Sequence, residues 1–320
     1  MVIIENTLHF HIDRPTVVAI GKFDGIHKGH MEIIRRMLPY KKQGLSTAIL
    51  TFSVSPASVL SKSQPDASDE KPAFPGKLLT TNREKRKIFS ELGIDHYIEL
   101  PFNEEVMKIG AEAFIKQILL ERIQMRAIVC GSDCRFGYRG EGDTACLERL
   151  GRKFDYETVI ADKAVYEGVP ISSSLIREEL LAGHIETANE MLMRPYLFYG
   201  EVVHGRQIGR TLGMPTVNLI PEAEKLLPPS GVYYSRVTHM GQEYRAITNL
   251  GAKPTIDGEK PSVGVESYLY GFDEEIYGDF LYVSLYHYVR KEMKFANVDA
   301  LKAQMQKDIA SGEEYHRKHL

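Results

Sequence analysis

The first half of the chain alternates between short apolar runs and longer segments with helical spacing. The runs "TVVAIG" and "LSTAILTF" predict buried strands, and "HMEIIRRMLPYKKQ" between them predicts a helix. The alternation continues through "NREKRKIFSELG", "HYIELPF", "GAEAFIKQILLERI" and "RAIVCG". Strands separated by helices of this length need right-handed crossovers, so they predict an α/β domain with a mostly parallel sheet. Residues 61–76 are rich in Pro, Ser and charge and predict an exposed loop.

The pattern changes after the predicted helix "SLIREELLAGHIETANEMLM", which ends at Arg194 because Pro195 disfavours helical geometry in the residue before it. Short runs rich in Val, Tyr and Phe follow, each bounded by Gly, Pro, Asn or Asp. Such runs predict a small antiparallel β-barrel, and "VDALKAQMQKDIASGEEYHRKHL" predicts a helix that closes the chain. The change in composition near residue 187 predicts two domains, residues 1–186 and residues 187–320.

Composition narrows the class of protein. The 320 residues are 43% hydrophobic and 26% charged, which suits a soluble globular protein with two domains. The net charge of -3 provides no basic field for nucleic acid, and no apolar run approaches the roughly 18 residues of a membrane span. The N-terminus lacks the features of a signal peptide, and Cys130, Cys134 and Cys146 form neither a zinc nor a disulfide framework. A cytoplasmic location is expected, and the oligomeric state stays open.

The segment "GKFDGIHKGH", residues 21–30, lies between a predicted buried strand and a predicted helix. Gly21 and Gly25 would let the backbone approach a phosphate chain, and the helix would direct its first N–H groups at the same anion. His27 and His30 are three residues apart and can both donate to phosphates. The alternative is a pair of surface histidines at a helix start. A strand, H-x-G-H and a helix in this order favour the phosphate site.

A second candidate anion site lies in "ISSSLIR", residues 171–177. Ser172, Ser173 and Ser174 are of a type that caps helix N-termini, and Arg177 follows one helical turn later. Taken alone, the segment would be an ordinary helix cap. In company with the H-x-G-H segment, it is more consistent with an anion site.

These segments resemble a known family. "GKFDGIHKGH" is similar to the G-x-F-D-G-x-H-x-G-H form of the nucleotidylyl transferase signature, found in prokaryotic riboflavin kinase/FAD synthetases. "GSDCRFG", residues 131–137, is similar to G-x-D-F-R-F-G of that family, and "ISSSLIR" is similar to I-S-S-T-x-I-R. The resemblance implies a Rossmann-like nucleotidylyl transferase domain. In such a domain the phosphate of FMN attacks the α-phosphorus of ATP, and pyrophosphate leaves with the help of Mg²⁺.

The resemblance also implies roles for individual residues. His27 and His30 would contact the phosphates of ATP, and Ser173 and Arg177 the leaving pyrophosphate. Nucleotide or flavin phosphate would be bound by Asp133 and Arg135. The other residues expected at ATP are Gly21, Phe23, Asp24, Gly25, Gly29 and Ser172. For Asp24, the alternative is that its side chain holds the turn by Asx bonding and does not touch the ligand.

Two places depart from the family pattern. The family has T-F-x-P-H-P after the second strand, whereas this chain has "TFSVSP", with Val54 and Ser55 in place of Pro and His. Cys134 replaces the aromatic residue of G-x-D-F-R-F-G. An imidazole missing beside the phosphates could slow adenylyl transfer or change its requirements, and the flavin pocket could be reshaped.

The second half contains a glycine-rich segment, "GEVVHGRQIGRTLGMPTVNL", residues 200–219. It is not a Walker loop, but flexible glycines with arginines can wrap a polyphosphate through backbone amides. The residues expected to do so are Gly205, Arg206, Gly209, Arg210 and Gly213. Thr216 and Asn218 occupy alternate positions of an extended segment, so a hydroxyl and an amide oxygen face one side and suit Mg²⁺. Alone, the segment would favour a glycine-rich hairpin.

The second half resembles the riboflavin kinase module of the same family. "GRTLGMPTVNL", "SGVYYSRV", "NLGAKPTI", "VESYLYGF" and "IYGDFL" occur in the order and spacing of its motifs. The resemblance implies that Glu266 is the catalytic base, which accepts the proton of the ribityl 5'-hydroxyl as this oxygen attacks the γ-phosphorus of ATP. The alternative is a solvated glutamate on the barrel surface. Arg290 would lie near the active site and bind flavin, or would be a surface cation.

Together, the two resemblances predict an enzyme that makes FMN and then FAD from riboflavin and two molecules of ATP. It would use Mg²⁺ and no covalently bound cofactor, and its partners would be the small molecules ATP, riboflavin, FMN and FAD, with no nucleic acid and no membrane. One alternative is an enzyme that retains only one of the two activities. Another is a sensor that binds flavin or nucleotide without turnover.

Overall fold

The computed structural model of the chain describes residues 1–53, 77–205, 208–253 and 262–319. The predicted loop at residues 61–76, the departures at Val54 and Ser55, and Arg206 lie outside the described residues. The chain divides into two compact units, Met1–Ser173 and Ser174–Leu320. This division falls earlier than the predicted domain limit at residue 186, which stays a prediction.

The first unit is built on parallel strands joined by helices. Its strands are β1 (Val2–Glu5), β2 (Thr16–Ile20), β3 (Ser46–Phe52), β4 (His96–Leu100), β5 (Met125–Gly131), β6 (Glu157–Ala161), β7 (Val165–Tyr166) and β8 (Val169–Pro170). Its helices are α1 (Lys28–Met37), α2 (Asn82–Glu91), α3 (Glu104–Met107), α4 (Ala111–Ala113) and α5 (Thr144–Phe154). Shorter helical pieces are a 3₁₀ segment at Leu38–Gln43, a π-helix at Phe114–Leu120 that continues α4, and a 3₁₀ turn at Tyr138–Gly140.

Six of these strands form one sheet in the order β1-β4-β3-β2-β5-β6, and every neighbouring pair is parallel. All residues of β2 are buried. The predicted parallel α/β domain is therefore confirmed. The strand order reverses at β2, with β3 on one side and β5 on the other, and ligands of such sheets bind beyond the carboxyl ends of the strands at this point. Residues 21–30 begin there.

The second unit is a closed barrel. It contains α6 (Ser173–Ala182), α7 (Ile185–Leu192), β9 (Tyr196–Val203), α8 (Ile208–Thr211), β10 (Val217–Pro221), β11 (Gly231–His239), β12 (Gln242–Lys253), β13 (Ser262–Leu269), β14 (Phe280–Lys291) and α9 (Val298–His319), with the first residue of α6 in the first unit. The barrel order is β10-β13-β12-β11-β14-β9, and all its pairs are antiparallel. Outside the barrel, Ile309 and Tyr315 of α9 pack against Val232, Tyr234 and Ile247. The predicted antiparallel barrel with a terminal helix is confirmed.

Two predicted helices differ from the observed ones. The predicted helix after β2 is α-helical only to Met37 and continues as a 3₁₀ segment with Pro39 in its first turn, because proline cannot donate the hydrogen bond of an α-helix. The single helix predicted from "SLIREELLAGHIETANEMLM" was wrong. Gly183, with φ of 86°, ends α6, and the His184 N–H bonds back to the Glu179 carbonyl at 2.9 Å.

Candidate functional site

The backbone of the turn after β2 has positive φ angles, which residues other than glycine rarely adopt. Phe23, Gly25 and Ile26 have φ angles of 48°, 90° and 43°. Phe23 and Ile26 are fully buried, and the Phe23 ring packs edge-on against Phe89 of α2 with centroids 5.5 Å apart. Packing thus holds a strained turn at the carboxyl edge of the sheet. Strain that is fixed in this way is typical of functional sites.

The two predicted histidines come together at the start of α1. His27 is the N-cap residue of this helix, and its ring stacks on that of His30 with centroids 3.8 Å apart. Glycine suits position 29, because a Cβ there would lie 3.3 Å from two atoms of the His27 ring. The H-x-G-H spacing therefore puts two imidazoles and the first N–H groups of α1 at one place, which suits a phosphate chain.

Two hydrogen bonds connect this turn to distant segments. The Thr80 N–H donates to Asp24 Oδ1 at 3.0 Å, and Ser173 Oγ donates to the Asp24 carbonyl at 2.8 Å. These contacts support the alternative in which Asp24 holds the turn, with the Thr80 N–H as one of its partners. The Ser173 contact brings the first part of "ISSSLIR", which ends at Ser173 in this unit, to the H-x-G-H turn. Ser172 precedes α6 and Arg177 lies one turn along it.

The loop after β5 lies at the same carboxyl edge of the sheet as the turn after β2, because β5 and β2 are parallel neighbours. Asp133 Oδ2 lies 3.1 Å from Lys163 Nζ, and Arg135 Nη1 lies 3.7 Å from Asp143 Oδ2. All four side chains are substantially exposed. Exposed ion pairs contribute little to stability, so Lys163 and Arg135 can leave their carboxylate partners to bind a ligand phosphate at little cost.

Cys134 lies in this loop and packs against the core cluster that contains Cys130 and Phe136. A hydrogen bond between the two thiols raises the pKa of Cys130 and lowers that of Cys134. At this departure from the family pattern, the loop that carries Asp133 therefore packs on the core through a thiol.

The second unit brings its predicted catalytic and metal-binding residues together. The register of β10 and β13 places Asn218 directly opposite Glu266. Thr216 Oγ1 donates to Glu266 Oε1 at 2.5 Å. A hydroxyl whose proton is directed at a carboxylate still has lone pairs for a cation. The three side chains thus supply hydroxyl, amide and carboxylate oxygens, which suit Mg²⁺.

The glycine-rich segment lies against these oxygens. A Cβ on Gly205 would lie 2.3 Å from Asn218 Nδ2, and one on Gly209 would lie 3.1 Å from Thr216 Oγ1. Gly213 has φ of 79°, in a turn where the Met214 N–H bonds to the Gly209 carbonyl at 2.8 Å. Glycine at 205 and 209 is what allows this backbone to approach the candidate metal ligands so closely.

Two predicted arginines have acidic partners. Arg210 Nη1 lies 3.0 Å from Glu275 in an exposed pair. Arg290 forms a two-pronged pair with Asp308 of α9, with Nη2–Oδ2 at 2.6 Å and Nε–Oδ1 at 3.2 Å. Asp308 is 7% exposed, so this pair joins the barrel to α9. These contacts give Arg290 a structural role, and its contact with flavin stays a prediction.

Asn249 was not assigned a role from the sequence. The register of β12 and β13 places it beside Glu266, on the side opposite Asn218. Side chains of directly opposed residues share one face of a sheet, so an amide flanks the candidate base on each side. The available signal was its position at the head of "NLGAKPTI".

The described residues hold no group of three or more His, Cys, Asp or Glu side chains that could bind a metal. A cation at Thr216 and Asn218 would therefore share its coordination with ligand oxygens, as Mg²⁺ does when it bridges phosphates. None of the helices in the described parts of the chain has both the length and the apolar character that crossing a membrane requires.

Comparison with known proteins places the chain in a family. A family model of FAD synthetase matches residues 9–175, and a model of riboflavin kinase matches residues 192–316. A protein of Escherichia coli (strain K12) named "Bifunctional riboflavin kinase/FMN adenylyltransferase" is 30% identical over 301 residues, 93% of this chain and 92% of that protein. The chain belongs to the bifunctional riboflavin kinase/FMN adenylyltransferase family.

Other members carry the same name. The protein of Buchnera aphidicola subsp. Schizaphis graminum is 32% identical over 309 residues, 95% of each chain. The protein of Listeria monocytogenes is 32% identical over 295 residues, 91% of this chain and 90% of that protein. The resemblance predicted from the motifs is therefore confirmed across nearly the whole length of this riboflavin kinase/FMN adenylyltransferase family member.

A solved structure shares the fold. A crystal structure from Streptococcus pneumoniae, described as a macrolide-efflux protein, matches with a TM-score of 0.82 and 28% identity over 98% of both chains. Its description concerns that protein, whereas both halves of the present chain match models of the riboflavin kinase/FMN adenylyltransferase family.

Proposed function

We propose that the chain phosphorylates riboflavin to FMN in the barrel and transfers the AMP part of ATP to FMN in the first unit, which yields FAD and pyrophosphate. The observation that carries this proposal is the pair of family matches, one to the α/β half and one to the barrel half. ATP is the co-substrate of both reactions, and riboflavin and FMN are the acceptors.

In the barrel, Glu266 would accept the proton of the ribityl 5'-hydroxyl while this oxygen attacks the γ-phosphorus of ATP. The hydrogen bond from Thr216 Oγ1 orients the Glu266 carboxylate. Thr216 and Asn218 would hold Mg²⁺, which when bound offsets the charge of the phosphates. Gly205 and Gly209 would keep the backbone close enough to line the triphosphate.

In the first unit, the phosphate of FMN would attack the α-phosphorus of ATP in line with the leaving pyrophosphate. The stacked rings of His27 and His30 would donate to the phosphates, together with the first N–H groups of α1. The hydroxyl proton of Ser173 is directed at the Asp24 carbonyl, so a contact with pyrophosphate at this helix start would come from backbone N–H groups. Arg177 would add its positive charge.

The test is a product assay with the purified full-length chain, riboflavin, ATP and Mg²⁺. FMN should appear first and FAD afterwards, with two ATP consumed per FAD formed. FMN that is never converted to FAD would limit the chain to the kinase, as the loss of histidine in "TFSVSP" could cause. Flavin binding without ATP consumption would favour a sensor. The cytoplasmic location and the absence of a nucleic-acid partner stay predictions.

A further inference from the structure

Helix α2 carries a lysine that is almost completely buried. Lys85 is 4% exposed, and within the described residues its ammonium makes one hydrogen bond, to Asn82 Oδ1 at 3.2 Å. An ammonium has three donors, and burying it without full compensation is costly. The charge at this position therefore needs an explanation in its surroundings.

The buried face of α2 lies against the H-x-G-H turn. Phe89, one helical turn after Lys85, packs on Phe23 with centroids 5.5 Å apart. The Thr80 N–H, just before α2, donates to Asp24 Oδ1 at 3.0 Å. Contacts at both ends of this segment thus fix Lys85 on the side of the helix that supports Asp24.

Three carboxylates act on the charge of Lys85. Burial lowers the pKa of Lys85, and the negative charges that oppose this effect are Asp24 first, then Glu99 and Glu84. Glu99 is paired with Arg86 at 2.5 Å, and the Glu84 carboxylate closes the capping box of α2. Of these three carboxylates, Asp24 belongs to the H-x-G-H turn and is 7% exposed, so it is the group through which a change at Lys85 reaches that turn.

We propose that Lys85 is a positioning residue for adenylyl transfer, whose buried charge offsets that of Asp24 beneath the turn that receives the triphosphate of ATP. This inference rests on the function proposed for the first unit. ATP brings several negative charges to a turn that already contains a buried carboxylate, and like charges repel strongly where water is excluded. Lys85 acts through Asp24, so it should affect how well ATP binds more than how fast bound ATP reacts.

The experiment compares K85M with K87M in the full-length chain. Lys87 lies on the same helix and pairs with Glu91, four residues later, so it serves as the matched control. K85M should raise the KM for ATP in FMN adenylylation at least tenfold and change kcat less than threefold. K87M should leave both constants within twofold. Riboflavin phosphorylation, measured in the same preparation, should also stay within twofold and reports correct folding.

A second variant separates charge from packing. Asp24→Asn combined with Lys85→Met removes both charges, while the asparagine oxygen can still accept from Thr80. The double variant should bring the KM for ATP to within threefold of wild type. A double variant no better than K85M would overturn the proposal, because the loss would then come from packing. An unchanged KM in K85M would also overturn it.

Binding of a non-hydrolysable ATP analogue, followed by titration calorimetry, gives a readout that does not need turnover. K85M should raise the dissociation constant of the analogue at least tenfold at one class of site and leave it unchanged at the other. If the wild-type chain made no FAD but K85M showed this difference, the proposed function would fail, and the effect of Lys85 on ATP binding would stand without it. If the wild-type chain made FAD and K85M bound the analogue as wild type does, the reverse would hold.

Discussion

Gly205 is the position where the smallest possible change should disturb the kinase site most. A Cβ there would lie 2.3 Å from Nδ2 and 2.5 Å from Cγ of Asn218, one of the candidate metal ligands. Ordinary van der Waals contact begins at 3.4 Å. In the Gly205→Ala variant, the Asn218 side chain would therefore have to retreat by about 1 Å, or the glycine-rich segment would have to lift by the same distance.

The expected loss follows from that displacement. A misplacement of about 1 Å at a reacting centre can cost roughly 100-fold in rate. We expect kcat for riboflavin phosphorylation to fall roughly 10- to 100-fold, which corresponds to about 1.4 to 2.7 kcal/mol of transition-state stabilisation. Overpacking would also lower the free energy of unfolding by about 1 to 3 kcal/mol. FMN adenylylation should be unaffected, because the H-x-G-H turn proposed to bind its ATP lies in the other unit.

The assay follows FMN formation from riboflavin and FAD formation from supplied FMN in one preparation. Gly241→Ala is the matched control: it lies at a hairpin tip with φ of 83°, and its Cβ would meet nothing within 4 Å. This control should cost about 1 to 3 kcal/mol of stability through backbone strain and leave both reactions unchanged. Folded Gly205→Ala protein that phosphorylates riboflavin at the wild-type rate would refute the placement of Gly205 against a catalytic Asn218.

Two further predictions concern the barrel. Replacing Arg290 by Met should lower the free energy of unfolding by about 3 kcal/mol, because the buried Asp308 carboxylate would lose its cationic partner and, within the described part of the chain, keep only the hydrogen bond from Gln304. The KM for riboflavin should stay within twofold. A large rise in that KM with little loss of stability in urea would assign Arg290 to the flavin instead. Burial lowers the pKa of His316, which bonds through Nε2 to the Ala246 carbonyl, so folding stability should fall as the pH drops below about 6.5, the unfolded value. His316→Gln keeps a donor but does not titrate, so its urea midpoint should fall less than that of wild type between pH 7 and pH 5, and an equal fall would contradict this assignment.

Much of the fold follows from sequence patterns that depend on neighbouring residues. The apolar runs before Gly21 and Asp133 predict two buried strands, and crossover rules then make the sheet parallel. The strand order follows from no local pattern, so the sequence alone could not place the loop after β5 beside the turn after β2. The break at Gly183 was missed because a single glycine within helical spacing does not by itself end a helix.

For the candidate sites too, the sequence predicts only what depends on residues close together in the chain. His27, His30, Thr216 and Asn218 could be identified because their spacing along the chain already places them on one face. Roles that depend on register or burial could not be read in this way. Asn249 reaches Glu266 only through strand pairing, and a lysine in a charged helix gives no sign that it is buried.

The most direct test of two separate ATP sites compares Glu266→Gln with His30→Ala in the product assay. Glu266→Gln should abolish FMN formation from riboflavin but still convert supplied FMN to FAD. His30→Ala should form FMN at the wild-type rate and fail to convert it to FAD. A well-folded protein in which either substitution stops both reactions would contradict the assignment of one reaction to the H-x-G-H turn and the other to the barrel.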